Sequence, residues 1–415
     1  MAIVKAEILA IGDELLYGQT LDTNSHYISG EMDKIGVRVV RRTTVGDNER
    51  DILKSFAEAE SRADIILISG GLGPTSDDLT KPCLAKYFGC AIRIHEGALK
   101  DVTEFFRRRG RELTELNRQQ AALPECCEMI SNPYGTAPGM WFDQRGKIFV
   151  SMPGVPYEMV HMMQEQVIPR LRRRFVMPVI VHQMIRTAGI GESFLAEKIA
   201  SWEQSLPDHI RLAYLPGEGG VRLRLTGFGD DRAKIQKEID ALREALIPFA
   251  GSYIFGFSDE PLEVVVGNLL LEKGLSLSAA ESCTGGYLSH AITSVPGASA
   301  YFLGSVVAYA NDIKIKMLGV SPDTLTQYGA VSEQTVGEMA MGVRARFGTD
   351  LGVATSGIAG PDGGTPEKPV GTIWIACADG NGVQTRKLQL AKDRLVNIRL
   401  TTTAVLNMVR LHIQG

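Results

Sequence analysis

Apolar and polar positions alternate along this chain in blocks with the periods of interleaved strands and helices. Residues 4–11 (VKAEILAI) form a mostly apolar run closed by Gly12, the pattern of a strand buried on both faces. Thr23–Lys34 and Glu49–Ser61 repeat apolar residues at helical spacing, while Val37–Val45 and the strongly apolar Asp64–Ser69 read as further strands. Strands alternating with helices of this length predict βαβ units and a parallel, doubly wound sheet. The pattern changes after Pro178: a strand at Val179–Thr187, a helix opened by Gly189–Ser193 and running to Ser201, a hairpin pairing Ile210–Leu215 with Val221–Thr226, and a helix at Arg232–Ile247 make a small α+β module. Phe257–Pro261 marks a boundary, and a third α/β pattern follows. Its strands are Leu275–Ala280, Gly304–Tyr309, Leu351–Thr355, Thr372–Ala378 and an edge strand at Leu388 and Leu390. Its helices include Tyr287–Ile292, one N-capped by Asn311, one N-capped by Ser332 and running to Phe347, and a closing helix at Asp393–Leu411.

In open α/β sheets ligands bind beyond the carboxyl ends of the strands, so the loops there carry the candidate chemistry. In the first domain these are Gly12–Leu16 and Gly70–Asp78. Gly70, Gly71 and Gly73 leave backbone bare for a pyrophosphate or a flat pterin, with Thr75 beside them. Asp77, Asp78 and Asp13 are candidate ligands for a hard cation such as Mg²⁺, which is held by one or two carboxylates together with substrate phosphates. The plainer reading is that one of these acids N-caps the helix at Leu79–Phe88. Asn24 is placed to hydrogen-bond a ribose or phosphate. No Gly-Lys-Ser/Thr follows the glycines, and the dinucleotide fingerprint is absent.

The last domain concentrates two serines, a tyrosine and a lysine around glycine turns: Ser282, Ser299, Tyr309 and Lys314. A strand–Gly285–Gly286–helix junction presents backbone N–H groups where an oxyanion or phosphate is favoured. Lys314 falls in the first turn of a helix, where it opposes the dipole. A desolvated lysine in such a place has a lowered pKa and can take the proton of a serine, the Ser–Lys form of nucleophilic catalysis. The alternative is a solvated lysine beside a turn serine. Cys283 reads as a small buried thiol rather than a nucleophile.

Composition adds limits. The 415 residues suffice for two or three domains, and 44% hydrophobic with 22% charged residues is globular composition. A net charge of −4 gives no electrostatic support for nucleic-acid binding. No apolar run reaches the ~20 residues of a membrane span. The N-terminus reads as a strand rather than a signal peptide. Cys83, Cys90, Cys126, Cys127, Cys283 and Cys377 show no metal spacing and read as separate thiols, from which a reducing, cytoplasmic setting is expected.

The motifs ESCTGG, PGAS, YANDIK and ATSGIAGP (Ala354–Pro361) resemble, in order, the C-terminal domain of the CinA family, which is similar to the nicotinamide mononucleotide (NMN) deamidases. GDELL, Asp22–Asn24, GGLGPTSDDLT and MPGVPYEM (Met152–Met159) resemble the N-terminal half of that family. That half is similar to the molybdopterin-binding fold and is linked to metal-dependent ADP-ribose pyrophosphatase activity. The middle segment resembles the family's KH-type module, with GIGE in place of an RNA-binding GxxG loop. No basic groove accompanies that loop, so scaffolding or dimer contact is expected of it. The resemblance implies three domains, at residues 1–172, 178–255 and 259–415. It implies Ser299 as nucleophile and Lys314 as base, with Ser282, Tyr309 and Thr355 lining the site beside Gly285 and Gly286; of the closing helix's Arg394 and Arg399, otherwise plain surface charge, Arg394 is the preferred partner for a mononucleotide phosphate. It implies a bifunctional enzyme that deamidates NMN to nicotinate mononucleotide without a cofactor and cleaves ADP-ribose with a divalent metal. The rival is a pterin- or nucleotide-binding protein with a competence or DNA-repair partner and a non-catalytic N-terminal half. A homodimer is expected from the arrangement of two sheet domains about a small module.

Overall fold

A computed structural model describes residues 4–75, 77–217 and 219–415. Its strands are β1 (Lys5–Ile11), β2 (Arg38–Val45), β3 (Ile65–Ser69), β4 (Ile92–Ile94), β5 (Ala122–Pro124), β6 (Glu128–Ile130), β7 (Gly139–Gln144), β8 (Lys147–Met152), β9 (Val179–Thr187), β10 (Ile210–Gly217), β11 (Gly220–Gly229), β12 (Ile254–Gly256), β13 (Leu277–Glu281), β14 (Phe302–Val307), β15 (Leu351–Gly357), β16 (Thr372–Ala378) and β17 (Val383–Gln389). The chain divides into two compact units, Met1–Ile180 with Phe228–Arg232, and Val181–Gly227 with Ala233–Gly415.

The first unit is built on a six-stranded sheet in the order β2-β1-β3-β8-β7-β6. β2, β1, β3 and β8 run parallel, as the helix-strand alternation predicts. β7 and β6 run antiparallel to their neighbours. The reversal at β7–β8 is made by Arg145 and Gly146, both at positive φ (53° and 73°). Two such residues between paired strands are the backbone of a tight hairpin turn. Arginine in the first position hides that turn from a search for Asn-Gly. Alternate residues of β3 pack into opposite cores, Ile65 and Leu67 on one face and Ile66 and Ile68 on the other. A strand buried on both faces has to read as a continuous apolar run. The helix Glu49–Arg62 is capped by Asn48, whose side chain accepts from the N–H groups of Arg50 and Asp51.

The expectation of six separate thiols is corrected. β4 and β5 pair antiparallel, Glu125 N donates to Ala91 O at 2.9 Å, and the next rung holds Cys90 and Cys126 with Cα atoms 6.1 Å apart, joined as a disulfide. A separation of 36 residues conceals a pair that only the ribbon brings together. Cys83, Cys127, Cys283 and Cys377 are free, and the cysteines no longer argue for a reducing compartment.

The second unit holds two sheets. The small one runs β10-β11-β9-β12 beside helices Glu192–Gln204 and Arg232–Ala250. The larger runs β14-β13-β15-β16-β17, parallel through β14, β13 and β15 and antiparallel through β16 and β17. The closing helix Arg394–Gln414 is capped by Asp393, which accepts from Val396 N. Near its end the buried Arg410 donates to the carbonyls of Ser252 and Ile254 and so ties this helix to the small sheet. The expected Asn311 cap is not formed: Ala310 occupies the N-cap position without a side-chain bond, and Asn311 is the first residue of the helix Asn311–Leu318. Among the described residues no helix is long and apolar enough to cross a membrane.

Two candidate active sites

The C-terminal site begins at β13, a central strand that ends on the fully buried Glu281. Its carboxylate accepts from the N–H groups of Gly286 (2.9 Å), Leu288 (3.1 Å) and Ser289 (2.8 Å) and from Ser289 Oγ (2.5 Å). These donors are the otherwise unsatisfied groups at the start of the helix Tyr287–Thr293, so one acid folds the turn that follows it. Ser282 opens that turn and is pinned to β15, its N–H donating to Thr355 O at 3.0 Å. Thr355 Oγ1 and Thr284 Oγ1 lie 2.8 Å apart. Thr355 is fully buried, so it holds the turn from beneath rather than lining a pocket.

Lys314 reaches this turn from the helix Asn311–Leu318 with only 1% of its surface exposed. Its Nζ donates to Ala308 O (2.8 Å), Tyr309 O (3.3 Å) and Ser282 Oγ (3.1 Å). Burial lowers its pKa, because the charged form has lost its water. Among the described residues no carboxylate forms an ion pair with it, since Glu281 is engaged by its four donors. As an ammonium it fills all three acceptors. As a neutral amine it donates to the two carbonyls and turns its lone pair to the Ser282 hydroxyl. Burial also pushes the Cys283 thiol up to about 12, which fits an inert packing role.

Tyr309 and Arg394 extend the constellation. Arg394 Nη2 donates to Tyr309 Oη at 2.8 Å, and its Nη1 donates to Gly360 O at 2.9 Å. Arg399 lies further along the same helix, half-buried. Ser299 sits exposed in a short 3₁₀ turn, Ala298–Ala300, and is not among the three hydrogen-bond partners of Lys314. The structure therefore brings Lys314 to Ser282, whereas the sequence reading paired it with Ser299. The glycine N–H groups expected to hold an oxyanion are occupied, Gly285 N by Ser282 O at 3.2 Å and Gly286 N by Glu281. The neighbouring N–H groups of Cys283 and Thr284 make no hydrogen bond to another described residue.

The N-terminal site is a cavity of about 470 Å³ at the carboxyl ends of β1, β3 and β8. Gly70, Gly71, Gly73, Asn24, Asp77 and Asp78 line it, whereas Asp13 and Thr75 stand behind the wall. Six carboxylates face it, those of Glu14, Asp22, Asp47, Asp77, Asp78 and Glu158, and no lysine, arginine or histidine does among the described residues. Asp78 is engaged by its own loop: Oδ1 accepts from Gly73 N (2.7 Å) and Oδ2 from Thr75 N (3.0 Å) and Thr75 Oγ1 (2.5 Å). Asp13 and Asp47 exchange backbone bonds, Asp13 N to Asp47 Oδ2 at 2.9 Å and Asp47 N to Asp13 Oδ1 at 3.2 Å. Burial raises the pKa of Asp47, and the charges of Asp13, Glu14 and Asp77 push the same way against the Asp13 N–H bond. Asn24 donates to Ser69 Oγ and Gly154 O, each at 2.8 Å, so its amide hydrogens shape the wall.

Among the described residues no three His, Cys, Asp or Glu side chains converge to hold an ion. The oxygen donors that remain suit a hard cation that arrives with phosphate ligands, since Mg²⁺ is held by one or two carboxylates in such sites. Asp47 and Asp77, with Glu14 beside them, are the carboxylates available for it. Asp47, Glu158 and Glu281 escaped the sequence reading. Asp47 lies in a Gly-Asp-Asn stretch that reads as a turn, and both glutamates sit in motifs whose glycines and prolines draw the eye.

Fold and sites together define a two-site α/β protein: a molybdopterin-binding-type domain, a KH-type module and a C-terminal domain carrying a buried Ser–Lys pair. The family described as "Probable molybdopterin binding domain" matches residues 7–173, "Damage-inducible protein CinA KH domain" 182–256, and "CinA C-terminal domain" 259–413. A CinA-like protein of Cytophaga hutchinsonii is 50% identical over 407 residues, covering 98% of this chain and 97% of its own. One from Flavobacterium psychrophilum is 43% identical over 98% of both chains. A crystal structure of a competence/damage-inducible protein from Agrobacterium tumefaciens is 38% identical over 37% of this chain and 94% of that one, with a TM-score of 0.36. The chain belongs to the CinA family.

Proposed function

We propose that the C-terminal domain hydrolyses a carboxamide, NMN being the expected substrate, with Ser282 and Lys314 as the reacting pair. The observation that carries this is the 3.1 Å contact between a serine hydroxyl and a buried lysine amine that has no counter-ion among the described residues. The neutral amine takes the proton of Ser282 as Oγ attacks the carboxamide carbon. The C–N bond then breaks and the ammonium of Lys314 returns the proton to the departing ammonia. In the second half water attacks the acyl-serine ester as Lys314 takes its proton, the ester C–O bond breaks, and the ammonium returns that proton to Ser282 Oγ, releasing the acid, which ionises to the carboxylate. The N–H groups of Cys283 and Thr284, beside the nucleophile, are the candidate oxyanion donors. Ser282 replaces Ser299 as nucleophile because it is the hydroxyl that the lysine touches. Ammonia release from NMN by Ser282→Ala and Ser299→Ala tests the assignment: loss in the first with retention in the second supports it, and the reverse returns the role to Ser299.

For the N-terminal domain we propose metal-dependent cleavage of ADP-ribose to AMP and ribose 5-phosphate. A cavity walled by carboxylates repels a diphosphate unless a cation comes with it, which makes metal dependence the expected form of the activity. A bound divalent ion would neutralise the diphosphate. The chain itself supplies Asp47 and Asp77 to hold that ion and the bare backbone of the glycine loop to face the phosphates. The commitment of Asp78 to its own loop favours a second reading, in which this half binds a pterin or nucleotide without turnover. Incubation with ADP-ribose and Mg²⁺, with and without chelator, separates the two.

A further inference from the structure

The N-terminal cavity is not uniformly acidic; its ends differ. Strand order places Asp47 after β2, Glu14 after β1, the glycine loop after β3 and residues 153–158 after β8, so the lining follows that sequence across the sheet. The charges of Glu14 and Asp77 both act on Asp47 at one end. Glu158 stands apart from them at the other.

Glu158 is an unusual carboxylate. It is 7% exposed, and no cation forms an ion pair with it among the described residues. Its buried hydrogen-bond partner is Asn132, whose Nδ2 donates to Oε2 at 2.6 Å while also donating to Ala137 O at 2.9 Å. The exposed phenol of Tyr157 keeps its proton more tightly through burial, the charge of Glu158 and a hydrogen bond to that carboxylate. Gly135 packs so closely on Oε2 that a Cβ there would lie 1.9 Å away, so the carboxylate is fixed from behind. Besides Asn132 and the solvent-exposed Tyr157 hydroxyl, no described group donates to Glu158, and the residue lines the cavity. A buried carboxylate without a cation is costly, and such a group in a cleft marks a place where a ligand completes it.

We propose that Glu158 is the ligand-reading residue of this cavity: Oε1 accepts a hydrogen bond from an uncharged N–H or O–H donor on a nucleoside-like group, while the phosphates lie over the glycine loop. This rests on the reading that the cavity takes a phosphorylated nucleoside, but not on turnover. Sugar hydroxyls and a ring amino group share this donor chemistry. The cavity wall behind Glu158 is neutral, formed by Thr136, Ala137 and Pro153, which suits such a group and would not suit a phosphate.

The experiment uses the whole chain in EDTA with neutral nucleosides, so that neither a metal nor phosphate repulsion enters. Binding of adenosine, 2′,3′-dideoxyadenosine and purine riboside, which lacks the ring amine, is measured by saturation-transfer NMR for wild type, Glu158→Gln and Gly135→Ala, with thermal melts as the folding control. Adenosine is expected to bind Glu158→Gln about tenfold more weakly, and Gly135→Ala, which displaces the carboxylate without removing it, is expected to show the same loss. The analogue lacking the donor that Glu158 reads should bind wild type and Glu158→Gln alike, which identifies the sugar or the ring amine as the source. Equal adenosine affinity in wild type and Glu158→Gln, equal losses for all three nucleosides, or no binding to wild type would overturn the proposal. Nucleoside binding without ADP-ribose cleavage in Mg²⁺ would leave it standing and remove the pyrophosphatase reading instead.

Discussion

The two candidate sites solve the problem of placing charge near a substrate in opposite ways. In the C-terminal domain one cation, Lys314, is buried among neutral acceptors, and loss of water lowers its pKa so that it can work as a base. In the N-terminal domain carboxylates crowd an open cavity, and Asp47 is held above the usual carboxylate range by burial and by its neighbours. The first site is preassembled: its amine already touches the serine and two carbonyls, and the N–H groups of Cys283 and Thr284 are left for a ligand. Among the described residues the second has no positive charge to set against its acidic wall. Chemistry that needs only a proton acceptor can be preassembled, whereas binding of a diphosphate by acids requires a partner ion.

The sharpest break between them comes from Lys314→Met. We expect ammonia release from NMN to fall by about a thousandfold or more, in line with loss of one member of a nucleophile–base unit, with ADP-ribose cleavage unchanged. Chelation should do the reverse, abolishing ADP-ribose cleavage and sparing ammonia release; loss of both would mean that the sites are not independent. Asp47→Asn should lower ADP-ribose cleavage by about ten- to a hundredfold and raise the metal concentration needed for half-maximal rate. The pH dependence sharpens the contrast further. Only the neutral amine accepts a proton, so deamidation by wild type should rise with pH and level off below the ordinary lysine value of about 10.4, because burial lowers the pKa of Lys314. A rise that continues to that value would show that the amine is solvated in the working enzyme.

Arg394→Lys is expected to raise KM for NMN about fivefold to tenfold with kcat nearly kept, since the fork that bridges Tyr309 and Gly360 is lost while Ser282 and Lys314 stay. A fall in kcat alone would place Arg394 in the chemical step. The smallest effect is expected for Thr355→Val, about 1 kcal/mol of stability by thermal or urea unfolding, from loss of the Thr284 bond beneath the turn.

Much of this was legible in the chain. The apolar run of β3 announces a strand buried on both faces, and Ser332 and Asp393 announce the helix starts they cap. Lys314, Tyr309 and Arg394 were singled out by residue type and position, and the structure connects Tyr309 to Arg394. What escaped was pairing over distance. Nothing local distinguishes Ser282 from Ser299 as the partner of Lys314. The choice is made by the turn that Glu281 folds and by the carbonyls of Ala308 and Tyr309 that aim the amine. The Cys90–Cys126 pair escapes for the same reason, whereas the Arg145–Gly146 hairpin escapes locally, because arginine stands where the turn signal has asparagine.

By itself the sequence determined the succession of elements and the residue types able to act, because periodicity, caps and glycine turns are local properties of a chain. Tertiary structure alone decided which serine meets the lysine, that the amine is stripped of water, and that an acid-walled cavity carries a separate buried glutamate. Those are matters of distance and desolvation, and both arise only when segments far apart in sequence are packed together.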